Sequence, residues 1–355
     1  SPRRPSRALA CGRALAFGQA VLFSQVLVGC GSDAAEESSR SPSSLAGVVE
    51  SAEDYGPRDD GSGAFRTHCV ESHENFDDPL VFPEQPNGAH HLMFFGNPGV
   101  DAFTTPESLQ EAEGTTCDGV QLNRSAYWVP ALYDASGERI AYEEPLFYYK
   151  TGYHLPADSI QAPPEGLRMI AGDAMAKSPQ STQVVKMRCG SWVSVQEWFD
   201  QGDPLDHVPY LPDCEVGDLV ELRIVFPQSW DGENLDAPDH KSHMAYPSEA
   251  TPPQTGTGRC PESHPVPLPE ISYNFAIYVT EESGSPTEWR FSSERGGDVV
   301  GGSSAHGDWI NGWDSEIMEK IVENCLRPAV ECGVGLLGDG TRLRSVIDEG
   351  PFVEP

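Results

Sequence analysis

The chain predicts a mostly β fold, a β-sandwich or jelly-roll-like domain with long loops and a small C-terminal helix, on three observations. Its 35 glycines and 31 prolines punctuate the sequence at short intervals, and both residue types interrupt regular structure. Between them lie short runs of aromatic and β-branched residues, which suit a pleated, half-buried surface. No helical pattern alternates with these runs, which argues against a parallel α/β sheet.

In chain order, the candidate strands cover residues 92–95, 126–133, 145–150, 183–189, 219–226, 271–279 and 288–291. A short helix is expected after Thr105, with Pro106 at the first helical position and Glu107 in the first turn. Proline suits that position, and an acid there complements the helix dipole. A second helix is expected over residues 315–326, with Asp314 as its N-cap. Ile317, Ile321, Val322 and Cys325 share one face of it, and Glu316 and Lys320 are spaced as an i,i+4 pair on another.

Ahead of the domain lies an address. Residues 1–13 carry Arg3, Arg4, Arg7 and Arg13 and no acid, and an apolar stretch follows over 14–29. That stretch is shorter than the roughly 20 residues of a membrane span, and the pattern predicts a signal peptide over residues 1–29. It ends in Leu27-Val28-Gly29-Cys30, which resembles the bacterial lipobox, so Cys30 is the expected lipidation site. Membrane attachment is then through lipid alone. Residues 30–64, rich in Ser, Gly, Ala, Asp and Glu, read as a disordered acidic linker. Residues 65–355 read as a single extracellular domain.

Composition narrows the partners. The chain has 23 Lys+Arg against 55 Asp+Glu, a net charge of −32, and such a field repels phosphate backbones and anionic lipid. Nucleic acid is not an expected partner. Of nine cysteines, seven follow the linker, and export places them where disulfides form. Their spacing suggests Cys69 with Cys117, Cys189 with Cys214 and Cys325 with Cys332, which leaves Cys260 unpaired; spacing alone does not determine connectivity.

All ten histidines follow the linker. His90, His240, His243 and His306 are the candidate ligands of a copper or zinc ion, with Met93 and Met244 nearby in sequence. Asp239 and Asp308 are placed to orient those rings, and His73, His91 and His264 are alternative ligands or supporting groups. No HExxH or CxxC spacing accompanies them, and the competing expectation is that they hydrogen-bond irregular loops. Paired carboxylates for glycosidic cleavage have candidates in Asp231, Asp236, Asp239, Glu270 and Asp308. With 55 acids in the chain, closeness in sequence does not single out a pair. A serine nucleophile lacks the GxSxG elbow.

A series of ordered motifs carries a resemblance. Phe65-Arg-Thr-His-Cys69, Asp77-Asp-Pro-Leu-Val81, Phe94-Phe-Gly-Asn97, Asp101-Ala-Phe-Thr-Thr105 and Gly114-Thr-Thr-Cys117 come first. Tyr127-Trp-Val-Pro130, Gly166-Leu-Arg-Met-Ile-Ala-Gly-Asp173, Trp230-Asp-Gly232 and Asp239-His-Lys-Ser-His-Met-Ala-Tyr-Pro247 follow. Cys260-Pro-Glu-Ser-His-Pro265 and His306-Gly-Asp-Trp309 close the set. From about residue 65 to 332 the chain resembles DUF1996, an uncharacterised domain family of extracellular bacterial and fungal proteins. Its members often accompany carbohydrate-binding modules, which implies polysaccharide or cell-wall glycan as partner.

Two positions depart from that family. It has His-x-His before Phe-Phe-Gly-Asn, whereas this chain has His90, His91 and Leu92. It has cysteine where this chain has Ser229, and the resemblance makes Cys260 the natural partner of that missing cysteine. The expected function is thus a lipoprotein domain, exported and lipid-anchored at the bacterial cell envelope. It binds or acts on extracellular polysaccharide, with a histidine-ligated metal in the catalytic version. The alternative is a non-catalytic module in which Trp192, Trp198 or Trp230 stacks on sugars, or a structural envelope protein without a ligand.

Overall fold

Two sheets form the body of the domain. The computed structural model describes residues 49–52, 63–151, 153–190, 206–248, 256–294 and 299–349. Cys30, Trp192 and Trp198 lie outside these residues. The larger sheet has six strands, in the order Val185–Gly190, Leu219–Val225, Glu270–Tyr278, Glu143–Thr151, Gly63–His68 and Glu331–Val334. Its pairings are antiparallel except the last, which is parallel. The smaller sheet has five, in the order Glu71–Asn75, Leu92–Gly96, Ala126–Pro130, His306–Ile310 and Arg168–Gly172, all antiparallel.

Period-two alternation places the core between these sheets. Phe95, Tyr127 and Trp309 of the five-stranded sheet meet Phe147, Tyr149 and Tyr273 of the six-stranded one. Tyr127 and Phe147 have ring centroids 4.3 Å apart, and Tyr149 and Trp309 6.5 Å. Such pairs add about 0.5–1.5 kcal/mol beyond the area they bury. The polar tips are satisfied within this core: the Tyr127 and Tyr149 hydroxyls lie 3.0 Å apart, and the Trp313 indole donates to the Tyr149 hydroxyl at 2.8 Å.

The intervening residues of the five-stranded sheet face the other way. Phe94, Trp128 and Ile310 form a second cluster with Leu80, Val100 and Leu109. The segment between strands Glu71–Asn75 and Ala126–Pro130 thereby covers the outer face of this sheet. Both faces are buried, which is why strand Leu92–Gly96 reads as an unbroken apolar run rather than an alternating one.

All seven expected strands occur, with shifted ends. The run over 126–133 is broken between Ala126–Pro130 and Leu132–Tyr133, and of the last candidate only Arg290–Phe291 is extended. Helix Pro106–Glu111 starts at a Thr105 cap that pairs reciprocally with Ser108. Helix Ser315–Ile321 is capped by Asp314, whose carboxylate accepts from the amides of Glu316 at 3.1 Å and Ile317 at 3.3 Å. It stops short of residue 326 because the chain widens into a π turn over Val322–Leu326. Lys320 does not pair with Glu316 as expected; it reaches Asp339, 2.9 Å away on the loop packed beside the helix.

Three disulfides join Cys69 to Cys117, Cys189 to Cys214 and Cys325 to Cys332. Among the described residues Cys260 is the free thiol, half-buried against the Ser229 hydroxyl. Among the described residues no helix is long and apolar enough to cross a membrane.

Candidate functional site: a cavity on the outer face of the smaller sheet

Strand His306–Ile310 sets the site by its register. Trp309 points into the sandwich, and a side chain at Gly307 would meet the Tyr273 ring at 3.0 Å, so only glycine lets the sheets approach there. His306, Asp308 and Ile310 therefore share the outer face, with Asp308 paired to Trp128 on one side and Ile170 on the other. On that face lies a cavity of about 430 Å³. The covering segment contributes Asp78, Phe82, Ala89 and His90 to it. Ile170 and Asp173 come from the neighbouring strand and its exit, and Asp239, His240 and Lys241 from a loop. Ser292, His306 and Asp308 complete the lining used below.

The two histidines on the floor have fixed tautomers. His306 Nδ1 donates to the Ser304 carbonyl at 2.8 Å, which leaves Nε2 bare. His90 Nδ1 donates to the Ser292 hydroxyl at 2.8 Å, because that hydroxyl spends its own proton on the His91 carbonyl at 2.6 Å. Its Nε2 is bare as well. The two rings meet edge to face with centroids 5.0 Å apart. Burial, then the neighbouring His90, pulls the His306 pKa down to about 3, and burial lowers that of His90.

Asp308 is 1 % exposed, and its Oδ2 has no hydrogen-bond partner among the described residues. It lies 3.9 Å from His306 Nε2, beyond hydrogen-bond reach. Burial, reinforced by the nearby Asp78 carboxyl, holds Asp308 well above the usual carboxylate range. Asp78 is also raised by burial, although it accepts from the amides of Leu80 and Val81, each at 2.9 Å. The cavity's one lysine, Lys241, donates to the Gly172 carbonyl at 2.7 Å.

Three of the four expected metal ligands, His90, His240 and His306, line this cavity, and His243 does not. His243 is 1 % exposed and donates from Nε2 to the Arg168 carbonyl at 2.6 Å. His240 is oriented by Asp236 at 3.1 Å, not by Asp239, and Asp236 also holds Arg168 at 2.9 Å. Asp239 instead caps its own loop, accepting from the amides of Lys241 and Ser242 and from the Ser242 hydroxyl. Those bonds hold its pKa at about 2. The carbonyl of Ser304, rather than Asp308, fixes the His306 ring.

The three alternative ligands secure the framework. His73 stacks on Phe94 at 4.6 Å and reaches the Val100 carbonyl at 2.9 Å. His91 stacks on Phe76 at 4.8 Å, and His264 donates to the Ser242 carbonyl at 2.9 Å. Among the described residues no three His, Cys, Asp or Glu side chains are grouped to hold one metal ion. The four-histidine copper or zinc set read from the sequence is thus divided, with His243 turned away from the other three. Each of the three cavity rings has Nδ1 engaged by a hydroxyl, carbonyl or carboxylate partner. Of the other carboxylates considered, Glu270 pairs with Lys150 at 3.1 Å, and neither it nor Asp231 lines the cavity.

Sequence reasoning gave no role to Asp78, Lys241 or Ser292. Asp78 sits in Asp77-Asp78-Pro79, a turn signal that its bonds to Leu80 and Val81 bear out. Nothing local distinguishes Ser292 or Lys241, since tertiary folding alone brings them to the cavity.

No curated protein and no solved structure matches the chain. Residues 78–313, which run from the first carboxyl of the cavity past the last, match the family model described as Domain of unknown function (DUF1996). That match covers more than half of the chain, so this protein belongs to the DUF1996 family.

Proposed function

We propose that this protein is an exported lipoprotein, anchored at the bacterial cell envelope through Cys30, whose cavity binds or acts on extracellular polysaccharide. One observation carries the ligand-binding part: a cavity of about 430 Å³ that sets the unpaired carboxyl of Asp308 and two bare imidazole nitrogens against apolar walls. Ligand sites are typically concave and mostly apolar, with a few converging polar groups, and this volume lies in their usual range. The Phe82, Ala89 and Ile170 walls suit the C–H faces of a sugar ring, and the polar floor suits its hydroxyls. The anchor is supported by the Leu27-to-Cys30 motif after a short apolar run.

The test uses the purified full chain in affinity electrophoresis through gels of soluble polysaccharides, with sedimentation on insoluble cell-wall material. Retardation or co-sedimentation is expected, and Ala174→Trp, which fills the cavity from Ala174 in its lining, is expected to abolish it. Absence of binding to every glycan would favour a structural envelope protein instead. In cells, a labelled fatty acid should mark the native chain and not Cys30→Ala; equal labelling of both would remove the anchor.

A further inference from the structure

The floor of the cavity brings together one unpaired carboxyl and two bare ring nitrogens. Nε2 of His90 and Nε2 of His306 are bare because each Nδ1 proton is already spent. Asp308 Oδ2 is buried without a partner among the described residues. Lys241 is the single lysine of the lining, and one of its three N–H groups goes to the Gly172 carbonyl. A buried polar atom without a partner is costly, and Asp308 Oδ2 beside two bare ring nitrogens specifies a ligand rich in hydroxyl groups, which both donate and accept.

Charge decides what kind of donor. The lining carries Asp78, Asp173, Asp239 and Asp308 against Lys241 alone, in a chain of net charge −32. A uronate or phosphorylated sugar would set its anion among four acidic side chains with Lys241 alone to receive it. Hydroxyl groups meet the same acceptors without that repulsion.

Resting on the polysaccharide reading above, we propose that the cavity takes an uncharged saccharide residue, whose hydroxyls hydrogen-bond Asp308, His90 and His306. Asp308 is its specificity-determining residue. The apolar walls hold one face of the ring while the floor reads its hydroxyls. Asp308 lies at the centre of the strand register, between Trp128 and Ile170, so its carboxyl is positioned by the sheet rather than by a loop.

Calorimetric titration of the full chain with defined hexamers tests this. Laminarihexaose, xylohexaose, maltohexaose and N-acetylchitohexaose are the uncharged probes, hexagalacturonate the anionic one and the glucosamine hexamer the cationic one. At least one uncharged hexamer should bind and neither charged one should bind more tightly. Asp308→Leu should lose about ten- to a hundredfold in affinity, the equivalent of one buried hydrogen bond. Asp308→Asn, which keeps an acceptor oxygen, should lose less than Asp308→Leu. If Asp308→Leu does not fold, His90→Phe replaces it, with the same loss expected.

Tighter binding of either charged hexamer overturns the inference, as does undiminished binding by Asp308→Leu or by its replacement. Loss of binding with EDTA and recovery with zinc or copper overturns it too, because the acceptors would then belong to a cation. In each of those cases polysaccharide binding itself survives. Failure of all hexamers and of every polysaccharide removes both.

Discussion

His306 and Asp308 stand one residue apart in sequence from Gly307 and on the same face of their strand, and burial acts on them in opposite directions. Native His306 takes a proton only near pH 3, whereas an unfolded imidazole takes one near 6.5. Between those values the unfolded state binds the extra proton, so stability falls as pH drops, by about 1.4 kcal/mol per unit at most. Asp308 has the reverse sign. The native carboxyl keeps its proton above the ordinary range, while the unfolded one releases it near 3.9. Its contribution is fully present below that pH and is lost as pH rises. Asp308→Asn is therefore expected to raise the melting temperature at pH 7, and His306→Gln to flatten the loss of stability between pH 6.5 and 4. Urea midpoints across that range provide the check; an Asp308→Asn protein less stable than the native chain at pH 7 would mean the carboxylate is charged and held by a donor. At this scale the sequence was half legible. Clustered histidines with nearby acids pointed to the right segments, but which atom bonds which carbonyl follows from loop paths that no spacing encodes. His243 lies in the same short motif as His240 and still turns to a different partner.

The element that carries the site is one that local sequence conceals. His306-Gly-Asp-Trp-Ile310 contains residues depleted from strands, and becomes extended because strands Ala126–Pro130 and Arg168–Gly172 pair with it on both sides. Edge strand Glu71–Asn75 is polar and was equally hidden. Apolar, β-branched runs such as Leu219–Val225 and Glu270–Tyr278 were readable because their composition follows directly from burial in a central sheet. Gly307 is where this element is most sensitive. A Cβ there would meet Tyr273 ring carbons at 3.0 and 3.1 Å, so Gly307→Val should cost about 1–3 kcal/mol by overpacking and should also weaken ligand binding by displacing His306 and Asp308. A urea midpoint equal to that of the native chain would show that the sheets can separate there at no cost.

For the molecule as a whole, fold class was readable because aromatic residues fall in short runs between turns, whereas the cavity was not, because its walls come from segments more than two hundred residues apart, from Asp78 to Asp308. The disulfide pairs follow the spacing of the cysteines, and they matter beyond rigidity. The bridge between Cys69 and Cys117 closes the stretch of chain that supplies Asp78, Phe82, Ala89 and His90. The covering segment is thus a roof nailed at both eaves, and the nails are driven only by oxidation. Dithiothreitol-treated protein should keep its far-ultraviolet circular dichroism while losing affinity for glycan, and full retention of affinity after verified reduction would refute this. If the proposed export holds, redox chemistry works as a licence tied to address: a copy still in a reducing compartment has its sheets but an unfastened roof, and completes its pocket only where the bridge can form.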